Sequence, residues 1–151
     1  GYPMGASIGP APMYNGPSRH SETFSAEPKM ALTSLWILKH IEDGDFLRKN
    51  AENGKYLLSR LEELKEKHED VGDVRGIGLM VGIEFVKDKK SKEKAPKLRH
   101  EIVKHLVVKE KLWVLGAGQN VIRFTPSYVI TKDEIDDAVD RLDRATRAVT
   151  S

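Results

Sequence analysis

The chain has 151 residues, with 25 Lys and Arg against 23 Asp and Glu and a formal net charge of +2. This length suits one globular domain, and so small a basic excess does not indicate a nucleic-acid or membrane partner. The absence of cysteine excludes disulfides, a thiolate nucleophile and zinc sites with sulfur ligands. No apolar run is long enough for a membrane span, and no signal-peptide pattern opens the sequence. We therefore expect a cytoplasmic protein.

Residues 1–24 are predicted to be a loop segment. The first nineteen residues contain eight Gly or Pro and one charge, Arg19, a composition typical of turns. The sequence opens with Gly1 and a Gly-Tyr-Pro turn rather than Met, so we expect a piece of a longer protein.

Two helices are predicted after this loop. From Ser25 to Asp43 the apolar residues cover well over half of the helix circumference, which predicts burial on most sides. The second helix, residues 45–68, carries an apolar stripe with a spacing of three and four. Its members are Leu47, Ala51, Gly54, Leu58 and Leu61, with Leu57 and Leu64 widening the stripe.

The remaining patterns predict a small sheet and two more helices. A turn at 71–73 precedes strict alternation from Ile77 to Phe85, which predicts one strand with glycines on its second face. Residues 87–97 form a lysine-rich loop, and Pro96 begins the third helix. Residues 113–115 and 121–124 predict a hairpin, and a Thr131/Glu134 capping box begins the last helix. The order indicates an α+β fold, a small, largely antiparallel sheet covered by helices.

Arg123 is the most informative candidate for a binding residue. Alternation places it on the face of its strand opposite Ile122 and Phe124. Its planar guanidinium, with five donors, suits a bidentate carboxylate or phosphate. The alternative is an edge-strand arginine that pairs with a surface acid.

A second candidate is the segment Thr23-Phe24-Ser25, just before the first predicted helix. Free N–H groups and the helix dipole favour an anion at such a position. The alternative is simple capping of the helix by Ser25.

Two further groups are weaker candidates. His100 and His105 are five residues apart and lie apart around a helix, so no metal site is predicted. The lysine loop could bind a polyanion in a non-catalytic interaction module, although its acids and lack of aromatics favour a solvated loop. Such a module predicts salt-sensitive binding that weakens when Lys89, Lys90 and Lys92 are neutralised.

Four segments resemble, in the same order, motifs of the class III aminotransferases, which are pyridoxal-phosphate enzymes of fold type I. These segments are residues 1–6 (GYPMGA), 20–28 (HSETFSAEP), 71–84 (VGDVRGIGLMVGIE) and 118–126 (GQNVIRFTP). The resemblance spans the whole chain. Glu27 stands where the family commonly has Asn, and Ser127 where it commonly has a second Pro.

The resemblance implies the C-terminal part of such an enzyme, nearest to a 4-aminobutyrate or ω-amino-acid aminotransferase. It implies that residues 1–24 belong to the interface of a large domain, 25–70 are connecting helices and 71–151 form the small domain. Ornithine or acetylornithine aminotransferases and amino-acid racemases of the same family remain alternatives.

The resemblance also implies roles for two residues. Thr23 would bind the phosphate of pyridoxal phosphate in the neighbouring subunit of a homodimer, and Arg123 would hold the carboxylate of an amino-acid or 2-oxo-acid substrate. The family's Schiff-base lysine is expected a few residues before the position of Gly1. This chain alone is therefore expected to contain no catalytic residue and to be inactive.

Overall fold

The computed structural model describes residues 9–13, 15–16 and 27–150. After a short 3-10 turn at Ala11–Met13, the elements are α1 Pro28–Asp43, α2 Phe46–Lys67, β1 Val71–Ile77, β2 Met80–Phe85, α3 Pro96–Val108, β3 Leu115–Ala117, β4 Val121–Phe124 and α4 Lys132–Thr150. The chain divides into two compact units, Gly1–Phe46 and Leu47–Ser151. Among the helices of the described residues, none has both the length and the apolar character needed to cross a membrane.

Helix α1 begins with a cap that differs from the predicted one. The N-cap is Glu27, whose carboxylate accepts a hydrogen bond from Met30 N at 2.9 Å, while Ser25 lies outside the described residues. The predicted burial on most sides is wrong in this structure, because Leu32, Leu35 and Trp36 are each at least 60% exposed. The apolar pattern identifies which side chains lie on each face of the helix, but it does not show which other part of the protein packs against them.

Helix α2 packs through the predicted stripe from Gly54 onward, including both residues expected to widen it, while the first part of the stripe, Leu47 and Ala51, is exposed. Its buried residues are Gly54, Leu57, Leu61 and Leu64, whereas Leu47 is 64% exposed. At Gly54 an added Cβ would lie 2.3 Å from the carbonyl oxygen of Gly78. The missing side chain therefore lets the backbone of the helix approach a sheet turn closely.

Strands β1 and β2 form an antiparallel hairpin, so the predicted turn at 71–73 and single strand from Ile77 to Phe85 are wrong. The chain reverses at Gly78, whose φ of +55° is easily adopted only by glycine. Ile77 ends β1 and is 87% exposed. Within β2 the predicted alternation is confirmed, since its inward residues are buried: Val81, Ile83 and Phe85.

The four strands form one antiparallel sheet in the order β1-β2-β4-β3. Strand β4 lies where it was predicted, but β3 begins at Leu115 rather than Trp113, which is 79% exposed. The α+β class is confirmed. Helices α2, α3 and α4 contribute Leu57, Leu61, Leu64, Ile102, Leu106, Ile135, Val139 and Leu142 to the core.

The capping box of α4 is confirmed. The Thr131 amide donates to the Glu134 carboxylate at 2.8 Å, and the Glu134 amide donates to Thr131 Oγ1 at 3.2 Å. This reciprocal pair satisfies two backbone donors at the start of the helix. The helix therefore begins at a fixed point just after β4 and the loop that follows it.

Candidate functional site

Arg123 lies on the exposed face of the sheet. In the strand register it stands opposite Gly82 of β2 and Leu115 of β3. Its neighbours Ile122 and Phe124 are 0% and 7% exposed and point into the core. Strand β4 therefore directs the arginine away from the core. At the Gly82 position, this face of the sheet borders an open cavity lined by strand residues.

The Arg123 guanidinium is free within the described residues. No hydrogen bond or ion pair of this side chain is found among residues 9–13, 15–16 and 27–150. Strand β4 is also interior to the sheet, between β2 and β3. Both facts contradict the alternative of an edge-strand arginine paired with a surface acid.

A second arginine on the same face is neutralised. Arg75 of β1 stands opposite Gly82 from the other side, so Arg75, Gly82 and Arg123 form one row across three strands. Its Nη1 donates to Asp73 Oδ2 at 2.6 Å and to Glu84 Oε2 at 2.7 Å. The row thus contains one paired and one free guanidinium.

Glu84 connects this arginine to the start of β4. Its second oxygen, Oε1, accepts a hydrogen bond from Asn120 Nδ2 at 3.1 Å, and the same amide donates to Phe85 O at 2.7 Å. The hydrogen bond from Arg75, with a further one from Asn120, holds the pKa of Glu84 below its usual range. Asn120 is 3% exposed, so it is a buried polar group with satisfied donors.

Arg123 borders two open cavities. One, of about 510 Å³, lies over the row and is lined by both arginines, Gly82, Met80 and Val121 among others. The other, of about 460 Å³, is mainly apolar, and its walls include Trp113, Leu115, Phe124, Pro126 and Val129. The surroundings of the free guanidinium can therefore accommodate a carboxylate that carries a hydrocarbon chain.

The lysine loop is tied to the body of the protein. Lys87 pairs with Glu93 at 2.5 Å, Lys89 Nζ donates to Lys65 O at 2.8 Å, and Lys92 Nζ donates to Gly72 O. Several of the charges that a polyanion would need already have partners. These contacts favour the solvated loop over the interaction module.

Within the described ranges, no group of three or more His, Cys, Asp and Glu side chains is placed to share a metal ion. Thr23, the residue expected to contact a cofactor phosphate, lies outside the described residues.

The comparison with protein families decides the class. The family description "Aminotransferase class-III" matches residues 1–146. The chain belongs to the class III aminotransferase family. The resemblance found in the sequence motifs is confirmed, although the 4-aminobutyrate subtype remains a prediction.

Individual class III relatives agree with this assignment. The chain is 34% identical over 147 residues to a leucine/methionine racemase of Thermococcus litoralis, covering 96% of this chain and 33% of the relative. It is 31% identical over 142 residues to an acetylornithine aminotransferase of Clostridium acetobutylicum, covering 92% and 34%. A Bacillus anthracis aminotransferase structure superposes with a TM-score of 0.79 at 32% identity, covering 89% and 32%. The chain thus spans about a third of the length of these relatives.

For this class III aminotransferase chain, the sequence alone singled out Arg123 but missed its surroundings. Arg75, Glu84 and Asn120 were not candidates, because their contacts depend on the hairpin and on the pairing of β2 with β4. The only local signal was the alternation that puts Gly82 and Glu84 on one face.

Proposed function

We propose that this chain provides the substrate-carboxylate site of an aminotransferase that moves an amino group from 4-aminobutyrate or another ω-amino acid to a 2-oxo acid. The observation that carries the proposal is the free guanidinium of Arg123 on the open sheet face. An exposed, unpaired arginine held on a strand is suited to a bidentate carboxylate. Membership of the class III family supports the reaction type.

The cofactor of such an enzyme is pyridoxal phosphate, on which the family in general depends. When bound, it would supply an electron sink for chemistry at the carbon that carries the substrate amine. The described residues fit the substrate side of this chemistry, because Arg123 offers a cationic fork to the acid. We propose that Thr23 contacts the cofactor phosphate of the neighbouring subunit in a cytoplasmic homodimer, and that the cofactor-binding lysine precedes the position of Gly1.

The chemical contribution of Arg123 is orientation. Two parallel N–H···O bonds fix both the position and the plane of a carboxylate, which one ammonium group cannot do. Fixing this end of the substrate directs its reactive carbon at the rest of the site and lowers the entropic part of the barrier. The chain alone holds the substrate acid and performs no transfer.

The test is borohydride reduction of the full-length polypeptide that contains this sequence, purified with its cofactor, followed by peptide mass mapping. The proposal predicts a pyridoxyl group on a lysine a few residues before the position of Gly1, and no amino transfer by the 151-residue chain alone. A full-length polypeptide without any modified lysine would contradict the proposal. Transfer activity of the isolated chain would contradict the predicted role of that lysine.

A second candidate is an amino-acid racemase of the same family, which the similarity to the Thermococcus racemase favours. A racemase needs the same proton chemistry but no amino acceptor. Turnover of the full-length polypeptide should therefore depend on an added 2-oxo acid if it is an aminotransferase. Inversion of an L-amino acid without any 2-oxo acid would establish the racemase instead. Acetylornithine as the preferred donor would indicate the activity of the Clostridium relative.

A further inference from the structure

Glu84 lies on the same sheet face as two arginines and is diagonal to each of them. It is two residues from Gly82 on β2 and on the same face, while Arg75 and Arg123 flank Gly82 on either side. Each arginine is therefore a diagonal neighbour of Glu84. Diagonal neighbours in antiparallel sheets are roughly 7–8 Å apart, within reach of long side chains.

The structure shows that this diagonal contact forms on one side only. Arg75 Nη1 reaches Glu84 Oε2 at 2.7 Å, which demonstrates that an arginine in this row can pair with Glu84. Arg123 makes no such contact in the described part of the chain. Gly82 adds no side chain between Arg123 and the acid, but Val121 stands opposite Glu84, and its Cγ1 lies 3.1 Å from where a Cβ of Gly82 would be, so Arg123 can reach Glu84 only past Val121.

Both Glu84 oxygens are already occupied. Oε2 accepts from Arg75, and Oε1 accepts from Asn120, a residue that is 3% exposed. Asn120 is itself fixed, because its side-chain amide also donates to Phe85 O at 2.7 Å and its backbone carbonyl accepts from Phe85 N at 2.8 Å. The acid is therefore held towards β1 and the turn before β4.

We propose that Arg75 and Asn120 are positioning residues that sequester Glu84 and so keep Arg123 free for the substrate carboxylate. The inference rests on the proposed function, in which Arg123 binds that carboxylate. Without Arg75, the uncompensated Glu84 turns to Arg123, and the substrate must then compete with an internal carboxylate. An exposed ion pair of this kind is worth roughly 0.2–1 kcal/mol. Competition from Glu84 would therefore raise the KM of the carboxylate substrate about two- to fivefold.

The experiment measures KM and kcat of the full-length polypeptide for a carboxylate substrate. Arg75→Met is expected to raise KM about two- to fivefold with kcat unchanged. Adding Glu84→Gln to Arg75→Met is expected to return KM to the wild-type value, because the competing charge is removed. Arg75→Lys keeps a cation beside Glu84 and is expected to stay near wild type.

The matched control is Arg144→Met. Arg144 is 56% exposed and pairs with Glu110 at 2.7 Å, far along the chain in α4, so its loss costs an ion pair of the same kind without touching the row. Its KM should equal that of the wild type. Should Arg75→Met be too unstable to assay, Arg75→Gln removes the charge while keeping a hydrogen-bond donor and carries the same expectation.

Each outcome has one meaning. An unchanged KM in Arg75→Met, or a raised KM that Glu84→Gln does not restore, overturns the sequestration of Glu84 and leaves Arg75 a structural residue. Arg123→Lys, measured alongside, tests the proposed function separately. If it leaves KM unchanged, the carboxylate site itself is wrong, whatever Arg75 does.

Discussion

Replacing Gly54 with alanine should destabilise the protein, against the usual effect of this change in a helix. In an ordinary helix interior, alanine is better than glycine by about 1 kcal/mol. At Gly54, however, the new Cβ would lie 2.3 Å from Gly78 O and 2.4 Å from Gly78 C. These are backbone atoms of the β1–β2 turn, so no side-chain rotation relieves the overlap.

The magnitude follows from two opposing terms. Overpacking costs about 1–3 kcal/mol, and an overlap with backbone atoms that cannot rotate away falls in the upper part of this range, about 2–3 kcal/mol, against a helix-propensity gain of about 1 kcal/mol. Helix α2 and the hairpin must separate, and the packing of Leu57 and Leu61, both nearly fully buried, loosens with them. We expect a net loss of roughly 1–2 kcal/mol in the free energy of unfolding.

Urea denaturation measures this loss as a lower midpoint at unchanged slope. The matched variant is Ala51→Gly, at an exposed position of the same helix, which should lose about 1 kcal/mol from propensity alone. A Gly54→Ala protein as stable as the wild type, or more stable, would refute the close approach of α2 to the turn at Gly78.

Three further predictions concern pH, the lysine loop and the last helix. Burial would raise the pKa of Asp143, but hydrogen bonds from His68, at 2.6 Å, and from Arg147 outweigh it and lower the pKa. The unfolded chain then binds more protons, so stability falls as pH drops below the usual carboxyl range, and Asp143→Asn should flatten that acid limb in pH-dependent urea titrations. Neutralising Lys89 should leave the affinity for a polyanion, measured at several salt concentrations, equal to that of the wild type. A large loss of affinity would support the non-catalytic interaction module instead. Thr131→Ala should cost about 1 kcal/mol in urea denaturation through loss of the cap, and an unchanged midpoint would show that the capping box contributes nothing.

Elements with local signals were predicted well from the sequence. The capping box at Thr131 and Glu134 sets the start of α4 through bonds three residues apart, so its evidence lies within one turn. Strand β4 was recognised because alternation is also local, and it correctly put Ile122 inside. The α+β class follows from the order of such elements.

Elements that depend on distant partners were not predicted. The alternating pattern runs unbroken through Gly78, so it could not reveal that the chain reverses there, and only the positive φ of that residue distinguishes the turn. Trp113 looks like a strand residue by type but lies outside β3 and is exposed. Whether an aromatic residue such as this one lies in a strand and is buried depends on the elements that pack beside it, and not on its residue type alone.

The candidate site shows the same division. The outward direction of Arg123 is a local property of its strand, whereas its freedom from a partner depends on Arg75 and Asn120 occupying Glu84. Those contacts join residues 9 and 36 positions apart in the chain. No periodicity in the sequence reports such pairs, which the sheet register alone brings together.

The claim at the centre of the account is that Arg123 binds the carboxylate of the substrate. The most direct measurement is a double-mutant cycle in the full-length polypeptide, with kcat/KM of wild type and Arg123→Leu for an amino acid and for the same compound with its carboxylate replaced by a carboxamide. If the guanidinium contacts the acid, Arg123→Leu lowers kcat/KM about 10- to 100-fold more for the acid than for the amide, as charge-assisted hydrogen bonds predict. Equal losses for both compounds would contradict the claim.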